Sequence, residues 1–568
     1  MANKGLIGGL SAILLVAAVV GVVAGVYRTT HNTAASSSTL STSSKSVQAV
    51  CATTSHQDIC QQTLNQALSG DLNPKDVIQA TVNATIEKVK YAFEHTGNLS
   101  ASLNDPKNAD ALAECKRLLD DSIDNLKAVL LLSHNFEDLK GRQDDVRVWL
   151  NGVISYQQAC TVNIEDPKLK AAINDTVSMV VQFASNALAF VKDYASVGEE
   201  IASAFNISFG SPSRRLLGAG KDEFPSWFSA ADRRLLRGGG GVGAGAGTGA
   251  PPQKPNVVVA LDGTGDFNSI NAAVKAMPKN YTGRYIIYVK AGLYKEQVTI
   301  DKTRTNIYMY GDGAKKSIVT GALCNTGGVK TAFTASFITM ASGFIAKNMG
   351  FTNTAGAVGH QAVALRVQGD MSAFFNCRMD GYQDTLYAQS NRQFYHNCVV
   401  SGTIDFIFGD SFTYIQNSLI ILRKPMANQQ NTVTAQGRDD PKEDTVIVIQ
   451  NCRIVPDSTL FPDRLVVKSY LGRPWKNFAN TVIMESQIGD VINPAGYLEW
   501  PGNNMNTVFY GEYGNRGPGA VTTGRVKWAG VKTISRADAM KYTSTAVLEG
   551  QNKWLAATGE TYITGLKN

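Results

Sequence analysis

The sequence predicts two folded domains of different class, an all-α helical bundle followed by an all-β right-handed parallel β-helix. Apolar residues recur at helical spacing between Cys51 and Phe205, whereas short β-rich runs separated by Gly and Asn follow Pro255. Within the second part an Asn recurs about every 20 residues, which is typical of a solenoid. The length of 568 residues allows two or more domains, and a content of only 18% charged residues excludes a disordered, highly charged chain.

A hydrophobic segment opens the chain. No charged residue lies between Leu6 and Tyr27, a stretch about long enough to cross a bilayer at 1.5 Å per residue. Because a secretory h-region usually has only about 7–15 residues, we interpret residues 1–27 as a signal anchor, with a cleaved signal peptide as the alternative. Residues 28–45 are rich in Ser and Thr and almost uncharged, which indicates a flexible spacer.

N-x-[ST] sequons and cysteines indicate the compartment. Five sequons and eight cysteines suit an oxidising, glycosylating lumen, so we expect the protein to enter the secretory pathway. The predicted glycosylation sites are Asn83, Asn98, Asn174, Asn206 and Asn280.

Residues 46–208 predict the helical bundle. Apolar positions lie three or four residues apart, as in Leu119, Ile123 and Leu126. Prolines that would separate the helices are Pro74, Pro106 and Pro167. The four cysteines of this part are Cys51, Cys60, Cys115 and Cys160, an even set for which the sequence leaves three connectivities open. Since no cluster of His or acidic residues with ligand spacing occurs here, we expect a stabilised helical domain without chemistry of its own.

Residues 209–254 fit neither fold and predict an exposed hinge. Two dibasic pairs, Arg214-Arg215 and Arg233-Arg234, each precede Leu-Leu, and a run of Gly and Ala follows from Gly238 to Gly249. The glycine run is typical of a flexible linker. A repeated dibasic pair in an accessible hinge predicts a processing protease site, although such pairs also occur by chance.

Residues 255–568 predict the β-helix. Asn376, Asn397 and Asn417 each follow a β-rich run and lie 21 and 20 residues apart, which fits one coil of a solenoid. Asn tolerates the left-handed backbone conformation that a tight coil corner requires. A β-sandwich is the alternative, but its Asn-Gly and Asp-Gly hairpin turns are sparse here.

Charge and motifs limit the function of the second half. Residues 1–237 carry 22 basic and 24 acidic groups, whereas residues 238–568 carry 32 and 23, a net charge of +9. This excess favours an acidic partner, either nucleic acid, a membrane surface or an anionic polysaccharide. The absence of Gly-x-Ser-x-Gly and His-Glu-x-x-His from the sequence argues against a nucleophile-elbow esterase and a zinc hydrolase.

Two aspartates are the strongest catalytic candidates. Asp384 and Asp405 are 21 residues apart, so in a β-helix they would stack on neighbouring coils about 5 Å apart. Two carboxylates at that distance cannot both ionise freely, so one would serve as an acid and the other as a nucleophile or base. Asp405 lies between Ile404 and Phe406 and needs a charged partner, for which Arg473 is the candidate. A purely structural Asp ladder is the alternative.

Several motifs closely resemble plant pectinesterases (pectin methylesterases), over about Val257 to Leu566. They are Gly381-Tyr382-Gln383-Asp384-Thr385-Leu386-Tyr387, Gly402-Thr403-Ile404-Asp405-Phe406-Ile407-Phe408-Gly409, Leu471-Gly472-Arg473-Pro474-Trp475, Gly292-Leu293-Tyr294-Lys295-Glu296 and Gln361-Ala362-Val363-Ala364-Leu365-Arg366-Val367. The helical half is similar to the inhibitor-like pro-region that such enzymes often carry.

The resemblance implies a role for each site residue. Asp405 would attack the methyl ester carbonyl, and Asp384 would protonate the leaving methoxide and then activate water. Gln361 and Gln383 would donate hydrogen bonds to the oxyanion. Arg473 would hold Asp405 ionised and contact substrate, and Trp475 and Gln361 would also bind substrate.

The resemblance also implies partners and covalent features. It implies methylesterified homogalacturonan of the cell wall as substrate, a subtilase-like processing protease, separate inhibitor proteins, no nucleic acid, and no metal or organic cofactor. Transient membrane association is predicted by the hydrophobic segment 1–27 itself. The implied disulfides are Cys51–Cys60, Cys115–Cys160 and Cys377–Cys398. Ser418 stands where the family commonly has Cys, so Cys452 lacks its usual partner.

Two functions other than the esterase are possible from the sequence. One is a non-catalytic pectin-binding or inhibitory protein, against which the intact set of polar site residues argues. The other is a β-helix polysaccharide lyase, which would usually need an acidic Ca²⁺ cluster.

Overall fold

A computed structural model describes residues 42–68, 74–102, 106–205, 254–549 and 554–567. It contains a helical half and a β half, each with its own hydrophobic core, and the two cores share no residue. This agrees with the predicted all-α bundle followed by an all-β parallel β-helix. The hydrophobic segment 1–27 and the dibasic pairs Arg214-Arg215 and Arg233-Arg234 lie outside the described residues.

The helical half is built from seven helices in the described part of the chain. They are α1 Thr42–Cys51, α2 Gln57–Ala67, α3 Pro74–Ser102, α4 Pro106–Ser133, α5 Phe136–Gly141, α6 Gln143–Val162 and α7 Pro167–Phe205. Helices α3, α4 and α7 each begin at a proline, which is favoured in the first helical turn because its missing N–H has no partner there. Disulfides Cys51–Cys60 and Cys115–Cys160 are present, as the resemblance implies, and tie α1 to α2 and α4 to α6.

Three sheets of stacked strands make up the β half. Sheet A contains β1 Val257–Val259, β2 Tyr285–Val289, β5 Ile307–Gly311, β8 Ile345–Lys347, β11 Ser372–Phe375, β14 Arg392–His396, β17 Phe412–Gln416, β20 Val446–Gln450, β23 Asn480–Met484, β25 Phe509–Tyr513 and β26 Val531–Thr533. Sheet B contains β3 Gly292–Tyr294, β6 Ser317–Gly321, β9 Gly350–Asn353, β12 Arg378–Asp380, β15 Val399–Gly402, β18 Leu419–Leu422, β21 Arg453–Pro456 and β24 Gln487–Ile488. Sheet C contains β4 Val298–Ile300, β7 Phe337–Thr339, β10 Leu365–Val367, β13 Leu386–Ala388, β16 Ile407–Gly409, β19 Asn431–Gln436 and β22 Ser469–Gly472.

The chain visits the three sheets in turn, and each strand pairs in parallel with the strand one coil later. Short helices α8 Ile270–Lys275 and α9 Arg536–Ala539 flank the stack. Side chains that point inward fill the interior with aliphatic and aromatic groups, such as Phe351, Phe374 and Tyr395. The stack therefore closes around one continuous core, as expected of a solenoid.

Asparagines mark one corner of the coils. Asn376, Asn397, Asn417 and Asn451 follow sheet A strands and all have φ between 51° and 53°. This left-handed conformation is costly for most residues, but Asn adopts it more readily. The recurrence in the sequence therefore predicted the coil corners correctly.

The implied Cys377–Cys398 disulfide is absent, and this prediction is wrong for the structure. Both residues are buried free thiols, one coil apart, and Cys452 and the partly exposed Cys324 are free as well. Each thiol instead contacts a backbone oxygen, Cys377 that of Phe375 at 3.3 Å and Cys398 that of Phe374 at 3.3 Å.

The helical half contacts both sheet C and sheet A. In α6 the Ser155 hydroxyl is 2.8 Å from both the carbonyl and a carboxylate oxygen of Asp410, which directly follows β16. The Lys192 ammonium of α7 lies 2.7 Å from the Asp444 carboxylate of the β half. The helices thus contact the β half beside β16 and at sheet A, where Val148 joins a hydrophobic cluster with Phe394 and Phe412.

Four of the five predicted glycosylation sites are exposed in the structure. Asn83, Asn98, Asn174 and Asn280 have solvent-exposed side chains, and Asn206 lies outside the described residues. Among the residues that are described, no helix combines the length and the apolar character needed to cross a membrane.

Candidate active site

The two candidate aspartates stack on neighbouring coils of sheet C. Asp384 precedes β13 and Asp405 precedes β16 by the same number of residues, and the register pairs Leu386 with Ile407. Both aspartates adopt the left-handed backbone conformation, with φ of 63° and 51°. These values are uncommon for non-glycine residues and cost free energy, a pattern often found where side chains are held for a function.

Asp405 is held from two sides. The Arg473 guanidinium donates from Nε to Oδ1 at 2.8 Å and from Nη2 to Oδ2 at 2.6 Å. The Thr432 hydroxyl donates to Oδ1 at 2.6 Å and accepts the Asp405 backbone N–H at 2.8 Å. Asp405 is only 5% exposed, so the bidentate arginine supplies the charge that a buried carboxylate needs.

Asp384 has the opposite environment. Asp384 is 8% exposed, and burial raises the pKa of its carboxyl well above the ordinary value. The negative charge of Asp405 raises it further, and Arg473 offsets part of the shift. The two neighbouring carboxyls are therefore unlike, since the pKa of Asp384 is raised whereas Asp405 is paired with a cation.

Arg473 is itself fixed between an anion and an indole ring. Burial alone would lower the pKa of Arg473, but the hydrogen bonds and charge of Asp405 outweigh it and raise the pKa above its usual value. The Trp500 ring lies 4.3 Å from the guanidinium carbon, within the range of a cation–π contact. The arginine thus stays charged and keeps its orientation toward Asp405.

A cavity of about 340 Å³ opens over these groups. Gln361 and Gln383 face it from neighbouring coils, where their backbones form a parallel bridge. Both glutamines are partly exposed, and their amide groups can donate hydrogen bonds into the cavity. The structure therefore brings together the five polar residues that the sequence singled out.

Aromatic rings form the floor beside the aspartates. Tyr387 and Phe408 follow Asp384 and Asp405 by three residues and stack with centroids 4.4 Å apart. Trp475 meets Phe408 edge to face at 5.9 Å. Flat apolar faces of this kind can pack on a sugar ring.

The helical half reaches the same cavity. Val162, the last residue of α6, and Asn163 line it together with the aspartates. Next to them, Glu165 forms an ion pair with Lys330 of the β half. The helical half thus forms part of the wall of the cavity.

Carboxylates that could hold a metal ion lie elsewhere among the described residues. Asp120, Asp121 and Asp124 come together on α4, where Lys302 of the β half pairs with all three. This ammonium already neutralises part of their charge, and the cluster faces the interface between the halves.

Sequence reasoning missed Thr432 and Trp500. Thr432 lies inside the polar and apolar alternation of β19 and is indistinguishable from other outward-facing threonines. Trp500 lies in a loop 27 residues after its partner Arg473. Only the folded geometry joins them to the site, and no local signal marks either residue.

Family models match both halves of the chain. The model described as "Pectinesterase" matches residues 256–551, and the model "Plant invertase/pectin methylesterase inhibitor" matches residues 45–190.

Curated relatives cover nearly the whole length. "Probable pectinesterase/pectinesterase inhibitor 13" of Arabidopsis thaliana is 41% identical over 532 residues, which are 92% of this chain and 82% of that protein. "Pectinesterase 4" of the same plant is 39% identical over 599 aligned positions and covers both chains completely. Among solved structures, "Pectin methylesterase from Carrot" is 45% identical, with a TM-score of 0.55, and covers 56% of this chain and all of its own.

Proposed function

The chain belongs to the pectinesterase family, and we propose that it hydrolyses the methyl esters of homogalacturonan through a covalent acyl-enzyme formed on Asp405. It is a pectin methylesterase with an inhibitor-like helical domain. The covalent mechanism, the residue roles and the processing scheme go beyond this membership. They rest chiefly on one observation, the pairing of an arginine-held carboxylate with a buried carboxyl whose pKa is raised.

In the first step an Asp405 oxygen attacks the ester carbonyl carbon. The carbonyl oxygen, on which negative charge develops, accepts hydrogen bonds from the Gln361 and Gln383 amides. When the tetrahedral intermediate collapses, the bond to the methoxy oxygen breaks and Asp384 donates its proton to that oxygen. Methanol leaves, and the galacturonate carbonyl remains bound to Asp405 as a mixed anhydride.

In the second step Asp384, now a carboxylate, accepts a proton from water. The hydroxide formed in this way attacks the galacturonate carbonyl, and Asp405 leaves as a carboxylate that Arg473 stabilises. Asp384 ends protonated, as it began. The aromatic floor of Tyr387 and Trp475 orients the sugar so that its ester lies above the aspartates.

Activation is proposed to require removal of the helical half. Val162 and Asn163 form part of the cavity wall in the uncut chain, which supports the proposal that the helical half hinders entry of a polysaccharide. The proposed processing sites are Arg214-Arg215 and Arg233-Arg234, cut by a subtilase-like protease on the way to the cell wall. Exposed sequons and two disulfides support such a secretory route, and the precursor could be held at the membrane by residues 1–27.

Methanol release from methylesterified pectin tests the proposal. Enzyme that has been cut in the hinge should release methanol, uncut enzyme should release much less, and Asp405→Asn should abolish release. Hydroxylamine added during turnover should divert product to the hydroxamate, because it attacks an anhydride faster than water does. Methanol release without any hydroxamate would favour direct attack by water. Unchanged turnover in Asp405→Asn would refute the assignment of the nucleophile.

A further inference from the structure

An arginine continues the aromatic floor of the active site. Arg366 lies at the centre of β10, and the register pairs it with Tyr387 on the next coil. The same outward-facing row crosses sheet C through Thr299, Ile338, Arg366, Tyr387, Phe408 and Ala435. Arg366 is the one charged member of these six. It lies one coil from the ring that would hold the reacting sugar, about 4.8 Å along the stack.

The β half gives Arg366 only neutral hydrogen-bond partners. Nε donates to the Gln389 side chain at 2.7 Å, and Nη1 donates to the Ala332 carbonyl at 3.1 Å. The remaining nitrogen, Nη2, donates to the Glu114 carboxylate, which belongs to α4 of the helical half. Tyr387 and Ala332 both line the active-site cavity, so this guanidinium lies next to two residues of the cavity wall.

Arg392 shows what a structural arginine looks like at the same interface. It is equally buried and also contacts the helical half, through Asp145 at 2.8 Å. Asp370 of the β half, however, accepts from its Nε at 2.9 Å and from its Nη2 at 2.6 Å. Removal of the helical half therefore leaves Arg392 with a carboxylate and leaves Arg366 without one.

We propose that Arg366 binds the carboxylate of a free galacturonate unit of pectin, and that Glu114 occupies this position in the uncut chain. This inference rests on the pectinesterase function proposed above. Two of the guanidinium nitrogens stay fixed by neutral partners, so the third faces the incoming polymer with an uncompensated charge. A carboxylate is the group that the planar, two-pronged set of N–H donors of a guanidinium recognises.

The inference specifies the substrate pattern. The cavity takes a methyl ester at Asp405, and the neighbouring unit over Arg366 carries a free carboxylate. The enzyme therefore prefers partly de-esterified stretches, and each product carboxylate can serve as the recognition group for a following reaction. In the uncut chain the Glu114 carboxylate therefore competes with the galacturonate carboxylate for Arg366.

Binding of a fully de-esterified oligogalacturonate tests the inference without catalysis. The full chain is folded with a specific protease sequence placed in the hinge, cut, and separated from its helical half at raised salt. Calorimetry then compares the wild type with Arg366→Gln. Because a hydrogen bond to a charged group is worth about 1.5–3 kcal/mol, the variant should bind at least about tenfold more weakly.

Lys302→Gln is the matched control. It removes the same charge from the same interface, where Lys302 contacts Asp124 of α4 at 2.6 Å, but Lys302 lies outside the row of side chains that joins Arg366 to the cavity-lining Tyr387. Its oligogalacturonate affinity should equal that of the wild type. In kinetics, Arg366→Gln should raise KM on partly de-esterified pectin at unchanged kcat and leave fully methylated pectin unaffected.

The outcomes separate this inference from the proposed function. Equal oligogalacturonate binding by the wild type and a folded Arg366→Gln protein overturns the subsite, whatever the methanol assay shows. Loss of binding in both Arg366→Gln and Lys302→Gln also overturns it, since general attraction would then explain the affinity. Wild-type binding without methanol release would refute the esterase proposal and leave the subsite standing. If Arg366→Gln loses its β-sheet circular dichroism, Arg366→Lys replaces it, with binding expected to weaken a few-fold because the planar set of donors is lost.

Discussion

Opposite effects on stability are expected when the two active-site aspartates are replaced by asparagine. Asp384→Asn removes a buried carboxyl that has no cation bonded to it, and Asn suits the φ of 63° at this position. Asp405→Asn removes the anion that pairs with Arg473 and leaves the guanidinium without a carboxylate. Both variants should lose methanol release, yet the first should be more stable than the wild type and the second less stable.

The size of the Asp384→Asn effect depends on pH. An unfolded Asp titrates near about pH 3.9, whereas burial raises the pKa of folded Asp384. At a pH above the pKa of the unfolded Asp but below that of folded Asp384, unfolding releases the carboxyl proton. The free energy of unfolding of the wild type therefore falls by up to about 1.4 kcal/mol per pH unit, until the folded carboxyl ionises too. The amide has no such penalty. The advantage of Asp384→Asn should therefore grow as pH rises and vanish at low pH.

The Asp405→Asn effect follows from the broken ion pair. Removing one partner of a buried pair costs about 3–5 kcal/mol, and the lower end applies because the Arg473 side chain is 22% exposed. Urea unfolding, followed by β-sheet circular dichroism at several pH values between about 5 and 8, measures both variants. A destabilised Asp384→Asn protein, or a gain that is independent of pH, would refute the view that Asp384 is held as a buried acid.

Three further outcomes are expected. Thr432→Val should lower kcat about tenfold or more, because two hydrogen bonds of Asp405 are lost. Thr432→Ser keeps the hydroxyl and should retain most of the wild-type kcat. Equal kcat in the two variants would exclude a positioning role for Thr432. Methanol release should fall at high pH, where Asp384 loses its proton; a pH profile without a basic limb would contradict its role as the acid. Alkylation of the unfolded, unreduced protein should label Cys324, Cys377, Cys398 and Cys452, and mass spectrometry that finds only two labels would restore the Cys377–Cys398 bridge.

The periodic features of the fold could be predicted from the sequence. The regular spacing of Asn indicates positions with a positive φ, which Asn adopts more readily than most residues. Asn376, Asn397 and Asn417 therefore predicted the coil corners without any long-range information. The same period placed Asp384 beside Asp405, because a separation of one coil in the sequence becomes one strand spacing in space. Local chemistry and a fixed repeat were sufficient for these two results.

Contacts that depend on the way the two halves meet could not be predicted. Glu114 and Arg366 are 252 residues apart, and neither lies in a pattern that suggests a partner. Thr432 reaches Asp405 only because β19 stacks on β16. The Cys377–Cys398 bridge was implied by the resemblance alone, and the structure has both residues as free thiols.

The position of the catalytic strands within sheet C has a consequence for local unfolding. β13 is the central strand of seven, and β16 is its immediate neighbour. Because each coil of the stack pairs with the coils above and below it, unfolding is expected to begin at the two ends and advance inward. The coils that hold Asp384 and Asp405 are therefore the last to open, so hydrogen exchange should be slowest where the chemistry takes place. The ends of the stack can fray, or differ in length, without changing the distance between the two aspartates.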